Sequence, residues 1–289
     1  MNGPPELAIL AGALADGALK ATMWLGVAWI GARVGLRRGS AAQRHAVWAA
    51  AVAVTPLLPI VAAFRGTAVA LDAGPWLGVW AVGAVLTALG PARSLLALGR
   101  MTAGAEACPS APDVRFVAGL DGPVTWGWFR PVVLLPRAAV GWPDGRRRAA
   151  LAHERAHIAR GDWLIHAIGW AVQVVFWFHP AVWWARAALA REAEHAADDA
   201  VLAQGIRPSD YASLLVGLGQ TDRVGMALGL GRSQVGERVR AVLDVRCRSG
   251  RRGGVAIVVA LLALTALPVL GGWPAWATEK AALVCLPAP

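Results

Sequence analysis

A chain of 289 residues has room for one or two domains, but 57% hydrophobic and only 16% charged residues is the balance of a membrane protein, not of an ordinary soluble enzyme. The net charge of +10 is carried almost entirely by arginine, so the placement of the arginines matters more than their number. Cys108, Cys247 and Cys285 are odd in number and far apart, which excludes a disulfide framework and a thiolate metal site.

The first residues lack the basic region of a secretory signal peptide, and the apolar run that follows, 7–32, is long enough to cross the bilayer. Asp16 and Lys20 interrupt that run four residues apart and read as an ion pair turned towards the bundle interior. A basic loop from 33 to 44, with Arg37-Arg38 and Arg44-His45, leads to a second apolar run at 47–63. A third span occupies 76–98, with Arg93 near its end. The loop arginines place the first connection on the cytoplasmic side and the N-terminus outside.

Residues 102–252 have a more soluble character. Segments 113–117, 124–126 and 131–135 read as short strands punctuated by Gly and Pro, a small sheet whose edge offers a peptide a place to lie as an added strand. Asp144 is expected to N-cap the next helix. That helix carries His153-Glu154-x-x-His157. Two histidines four apart share a helical face and can reach one metal ion, and Glu154 stands where a zinc hydrolase places its general base. Gly161-Asp162 closes this helix and is expected to cap the following one.

A catalytic zinc site needs a third ligand. Glu194 and Asp198 share a face of a downstream helix; one can bind the metal while the other accepts the free N–H of a ligating histidine. His195 points about 100° away from Glu194 and reads as a bystander. The intervening run 163–184 is apolar, but a straight span would carry Glu194 away from His153 and His157. Pro180 resolves this: legs of about 22 Å and about 21 Å on either side of a turn at 178–180 make a helical hairpin against the membrane. His166 and His179, on a leg and at the tip, read as structural.

Near the C-terminus Arg238, Arg240, Arg246, Arg248, Arg251 and Arg252 read as a cytoplasmic flank of a fourth span at 253–270, not as a nucleic-acid patch, and put the tail outside.

The chain resembles the BlaR/MecR-type membrane metallopeptidases, bacterial inner-membrane proteins that signal antibiotic exposure. The resemblance runs through Arg44-His45 with Trp48, Gly122-Pro123-Val124-Thr125-Trp126-Gly127, Arg130-Pro131 and Leu134-Leu135-Pro136. It continues through His153-Glu154-x-x-His157-Ile158-x-Arg160-x-Asp162, then Trp177-Phe178-His179-Pro180 with Trp183, and Glu194 followed by Asp198. It implies a gluzincin-like site with Zn2+ on His153, His157 and Glu194, Glu154 as general base, and Asp198 in support. It also implies a cytoplasmic peptidase whose activation leads to loss of a DNA-binding repressor. The best-known members carry an extracellular penicillin-binding sensor after the last span. This chain is expected to lack it, since no Ser-x-x-Lys stands in the tail. Ala197 replaces an expected cysteine, and Arg146-Arg147-Arg148 an acidic helix start.

The expected fold is therefore a mainly α membrane protein of about four transmembrane helices carrying a cytoplasmic zinc peptidase domain. Its parts are a membrane region at 1–101, a metallopeptidase domain at 102–252, and a last span with a short tail at 253–289. The expected activity is zinc-dependent peptide-bond hydrolysis, with a repressor of the penicillinase-repressor type, or the chain itself, as substrate. The lipid bilayer is the other partner, without direct nucleic-acid contact, and a homo-oligomer or a separate sensor subunit is compatible with these residues. Two rivals are a housekeeping membrane peptidase of the prenyl-peptide or heat-shock type and a non-catalytic zinc-stabilised scaffold.

Overall fold

The computed structural model describes residues 5–37, 39–64, 74–219 and 233–244. The expected fourth span, the tail, Cys247, Cys285 and Arg246, Arg248, Arg251 and Arg252 lie outside the described residues. The described residues are mostly helical with one small mixed sheet.

Helix α1 (Pro5–Ile30) ends in a π turn (Gly31–Gly35). Its Lys20 is buried and lies 2.7 Å from Asp16, so the two charges that interrupt the apolar run neutralise each other. Helix α2 (Ala41–Val54) starts at a reciprocal capping box between Ser40 and Gln43, which places Arg44 and His45 in its first turn. Pro56 cannot donate into a continuing helix, and α3 (Leu57–Phe64) follows after that break. Helix α4 (Gly74–Ala103) is the longest among the described residues. Three stretches, Glu6–Gly35, Ala41–Phe64 and Trp76–Ala103, are long and apolar enough to cross a membrane. The apolar window of α4 buries none of its residues, and Val79, Val82, Val85 and Leu86 face outward, as suits a helix surrounded by lipid.

Four strands follow: β1 (Glu106–Cys108), β2 (Ala111–Val117), β3 (Val124–Trp126) and β4 (Val132–Pro136). Their order is β1-β2-β4-β3, with β2 and β4 parallel and the outer pairs antiparallel. The unexpected β1 is short and largely exposed, so it carries no hydrophobic alternation to betray it. One face of the sheet packs Val114, Val133 and Leu135 near Leu151 and Ile158 of the next helix; Leu134 and Trp126 pack with Leu98 and Met101 of α4. Strand β3 is left at the edge.

After a 3-10 turn (Arg137–Gly141), α5 (Asp144–Arg160) carries the His-Glu-x-x-His stretch. The expected N-cap is corrected here: Pro143 occupies that position, and Asp144 is the first helical residue, pairing with Arg147 at 2.6 Å. An acidic group in the first turn still complements the helix dipole, but Asp144 makes no capping bond. Gly161, at φ 67°, ends α5 in the left-handed conformation that glycine adopts without a Cβ penalty.

Helix α6 (Asp162–Val175) and helix α7 (Pro180–Leu202) form the two legs of a hairpin, with Pro180 at the start of the second. The tip is pinned on two sides. His179 Nε2 donates to Ala18 O at 3.0 Å, Trp80 donates to Val175 O, and Trp177 donates to Trp80 O. The hairpin buries Val172, Phe176, Val182 and Leu189 against Trp24, Leu25 and Trp48 of α1 and α2. Helices α8 (Pro208–Gly219) and α9 (Ser233–Leu243) close over α5 and α7 through Tyr211, Leu215 and Val242.

At the hairpin tip the Trp177 indole lies so close to α4 that a Cβ on Gly83 would overlap it. Replacing Gly83 by Val is therefore expected to cost about 1–3 kcal/mol through overpacking, read as a lower Tm of the purified protein. An unchanged Tm would mean that α4 and the hairpin do not depend on this contact.

Candidate metal centre

The geometry of α5 sets both imidazoles on one face, and the left-handed Gly161 turns the chain so that Asp162 comes back beneath His157. The return leg α7 brings Glu194 to the same place. Ligand atoms of His153, His157 and Glu194 all lie within 4.8 Å of one another. The two Nε2 atoms are 3.2 Å apart; Glu194 Oε2 is 3.3 Å from that of His153 and Glu194 Oε1 is 3.5 Å from that of His157.

The other ring nitrogens are committed elsewhere. His153 Nδ1 lies 3.2 Å from Asp198 Oδ1, and His157 Nδ1 lies 2.6 Å from Asp162 Oδ2. A carboxylate on each Nδ1 favours a proton there, so that a metal ion could take the Nε2 position in place of a proton, the arrangement a metal-binding histidine needs. Asp198 thus stands where sequence reasoning expected a supporting carboxylate. Of the pair Gly161-Asp162 expected at the start of α6, Gly161 is the N-cap, while the Asp162 side chain makes no capping bond and its carboxylate is spent on His157 and Arg160. It also lies 3.5 Å from His45 Nε2.

Glu154 is buried, and its Oε2 accepts a 2.7 Å hydrogen bond from Thr125 Oγ1 of β3. The edge strand therefore holds this carboxylate directly.

Cations balance the buried acids. Arg238 of α9 places Nη1 2.8 Å from Glu194 Oε2, while its Nε and Nη2 donate to the two oxygens of Asp198 at 2.9 and 2.7 Å. This corrects the reading of Arg238 as part of a basic membrane flank: a fork geometry matched to carboxylates draws it into the site. Tyr211, the only tyrosine of the chain, donates to Asp198 Oδ1 at 2.7 Å and lies 3.0 Å from His153 Nδ1. Arg160 donates to Asp162 and to the Ala193 carbonyl, tying α5 to α7.

Burial alone would raise the Glu194 and Asp198 carboxyls, but Arg238 holds both below the usual carboxylate range. Asp162, likewise raised by burial, is brought below its ordinary value by His157 and Arg160. Burial lowers His153, yet its hydrogen bonds to Asp198 and Glu194 outweigh that effect and push it up to about 9.

The remaining histidines stand outside the metal cluster found among the described residues. His195 faces Glu237 at 3.7 Å, His179 holds the hairpin tip, and His166 lies partly buried on α6. Arg44 of α2 donates to Glu192 Oε2 at 2.9 Å, two residues from Glu194, and to Gly39 O.

The model of the BlaR1 peptidase M56 family matches residues 45–242, well over half of the chain. The chain belongs to this family. The matched stretch opens at His45, beside Asp162, and closes at Val242 on α9, so it takes in all the residues gathered around His153, His157 and Glu194 except Arg44. The chain is also similar to the Regulatory protein BlaR1 of Bacillus licheniformis, 32% identical over 83 residues. That stretch is 29% of this chain and 14% of that protein. The M56 family is a family of peptidases, and three candidate apolar spans accord with a membrane protein.

Thr125, Arg160, Asp162, Tyr211 and Arg238 are the site residues to which sequence reasoning gave no site role. For Asp162 a signal existed, since it stands one residue past a glycine that ends the metal helix. Replacing Asp162 by Ala is expected to weaken zinc binding by on the order of 10- to 100-fold, measured by competition against a chelating dye. Wild-type affinity in that variant would mean that His157 is oriented without it.

Proposed function

We propose that the protein is a membrane-embedded, zinc-dependent endopeptidase in which His153, His157 and Glu194 hold the metal and Glu154 is the general base. The observation that carries this reading is the convergence of two Nε2 atoms on Glu194 while each Nδ1 is engaged by its own carboxylate. Two imidazoles and one carboxylate are a donor set that suits zinc with a fourth position open to water. The ion would supply Lewis acidity to the scissile carbonyl and to the attacking water.

The chain's own residues do the rest. Thr125 holds Glu154 Oε2, which leaves Oε1 to take the proton from water and deliver it to the leaving amine. Thr125 sits on the edge strand β3, so a substrate laid along β3 as an added strand would pass beside Glu154. Asp198 and Asp162 keep the histidines in the ligating tautomer.

The substrate we propose is a cytoplasmic transcriptional repressor of the penicillinase-repressor type, or the chain itself. It would be cut on the inner face of a bacterial membrane crossed four times, with both termini outside. Family membership and the basic connection after α1 support this placement.

Replacing Glu154 by Gln is expected to leave about one zinc per chain while cleavage of a candidate repressor falls by at least on the order of 100-fold. Replacing Glu194 by Ala is expected to remove the zinc, and stripping the wild type with a chelator should abolish cleavage until zinc is returned. Elemental analysis and a gel-based cleavage assay read these outcomes. Unimpaired cleavage by the Glu154 variant would overturn the assignment of the base, and zinc retained without Glu194 would overturn that of the third ligand.

A further inference from the structure

Helix α9 meets the metal centre through one apolar contact and one polar one. Val239 and Val242 pack with Val201, Tyr211 and Leu215. Arg238 reaches the two carboxylates of α7 and divides three nitrogens between them: Nε and Nη2 on Asp198, Nη1 on Glu194 Oε2. Glu194 and Asp198 stand one helical turn apart, so two negative charges would repel across that turn without a cation between them. A planar guanidinium fixes both carboxylates at once, which a lysine ammonium, as a point charge, does not.

This arrangement bears on both arms of the site. With Arg238 engaged on Glu194 Oε2, the oxygen left uncommitted is Oε1, on the side of His157 Nε2. Arg238 also holds Asp198 Oδ1, the atom that faces His153 Nδ1. One side chain thus orients a ligand directly and a second ligand through Asp198.

We propose that Arg238 is a positioning residue for the metal centre, and that docking of α9 through it sets the affinity for zinc. The inference rests on the reading of His153, His157 and Glu194 as the zinc site. Coupling between two binding events is reciprocal, so a metal site that is complete only with α9 docked must also favour the docked helix once metal is bound.

The test uses the purified full-length chain and zinc alone. Zinc affinity is measured by chelator competition for wild type, Arg238→Ala, Arg238→Lys and, as a control, Arg240→Ala, an exposed arginine on the same helix. Amide hydrogen exchange across 233–243 is followed with and without zinc. Both Arg238 variants are expected to bind zinc more weakly by on the order of 10- to 100-fold, with Arg240→Ala unchanged. Zinc is expected to slow exchange in α9 of the wild type and to do so far less in Arg238→Ala.

Wild-type or tighter affinity in either folded Arg238 variant would overturn the proposal, as would α9 exchange indifferent to zinc. If Arg238→Ala loses its helical circular dichroism, Arg238→Lys decides. A wild-type chain that binds no zinc refutes the metal-site reading and this inference with it. Zinc bound by the wild type with no dependence on Arg238 refutes the inference alone.

Discussion

Three ionised carboxylates, Asp162, Glu194 and Asp198, are gathered around two imidazoles in an otherwise apolar chain, and each must be compensated. An unpaired charge in such surroundings costs several kcal/mol. The surrounding architecture answers that constraint. Arg160 and His157 meet Asp162, and Arg238 with Tyr211 meets Asp198 and Glu194. These partners come from the end of α5, from α8 and from α9, so the site exists only when elements far apart in sequence are packed together. Compensating the acids and assembling the fold are one event.

The apolar helices and the candidate metal centre share this frame. The first turn of α2 touches the site at two points, through His45 to Asp162 and through Arg44 to Glu192. Trp48, one turn further along α2, stacks edge-on against Trp184 of the return leg. The motif Arg44-His45 with Trp48, distant from His-Glu-x-x-His in sequence, is thus the side of α2 that meets the hairpin and its acids. A displacement of α2 would be felt first at Asp162 and Glu192, each beside a proposed ligand. The edge strand contributes on the opposite side, where Thr125 holds the Glu154 carboxylate. The Thr-Trp-Gly segment therefore serves both packing, through Trp126 on α4, and the placement of the Glu154 carboxylate, through Thr125.

Several features of the fold are legible in the sequence alone. The pairing of Asp16 with Lys20, the strands near 113, 124 and 132, and the reversal at Pro180 follow from local rules: spacing on a helix, alternation along a strand and the missing N–H of proline. Those rules also placed Glu194 near the two histidines. They failed where a polar side chain had several possible local uses. Asp144 and Asp162 both stand at helix starts, where capping is the commonest use of an aspartate, but Asp144 takes Arg147 and Asp162 takes His157. Arg238 stood in a run of arginines, and nothing local distinguishes a membrane flank from one arginine drawn to buried carboxylates.

By itself, the sequence determined the chemistry on offer: two imidazoles and a carboxylate on one turn of α5, two acids on one face of α7, and a proline that lets the second meet the first. These are properties of residue type and helical period, which are local. The tertiary structure alone decided which nitrogen of each histidine faces Glu194, which carboxylate meets which ring, and that Thr125, Tyr211 and Arg238 take part. Those are choices among hydrogen-bond partners brought together from distant elements. Such choices depend on distances between elements that no local period encodes.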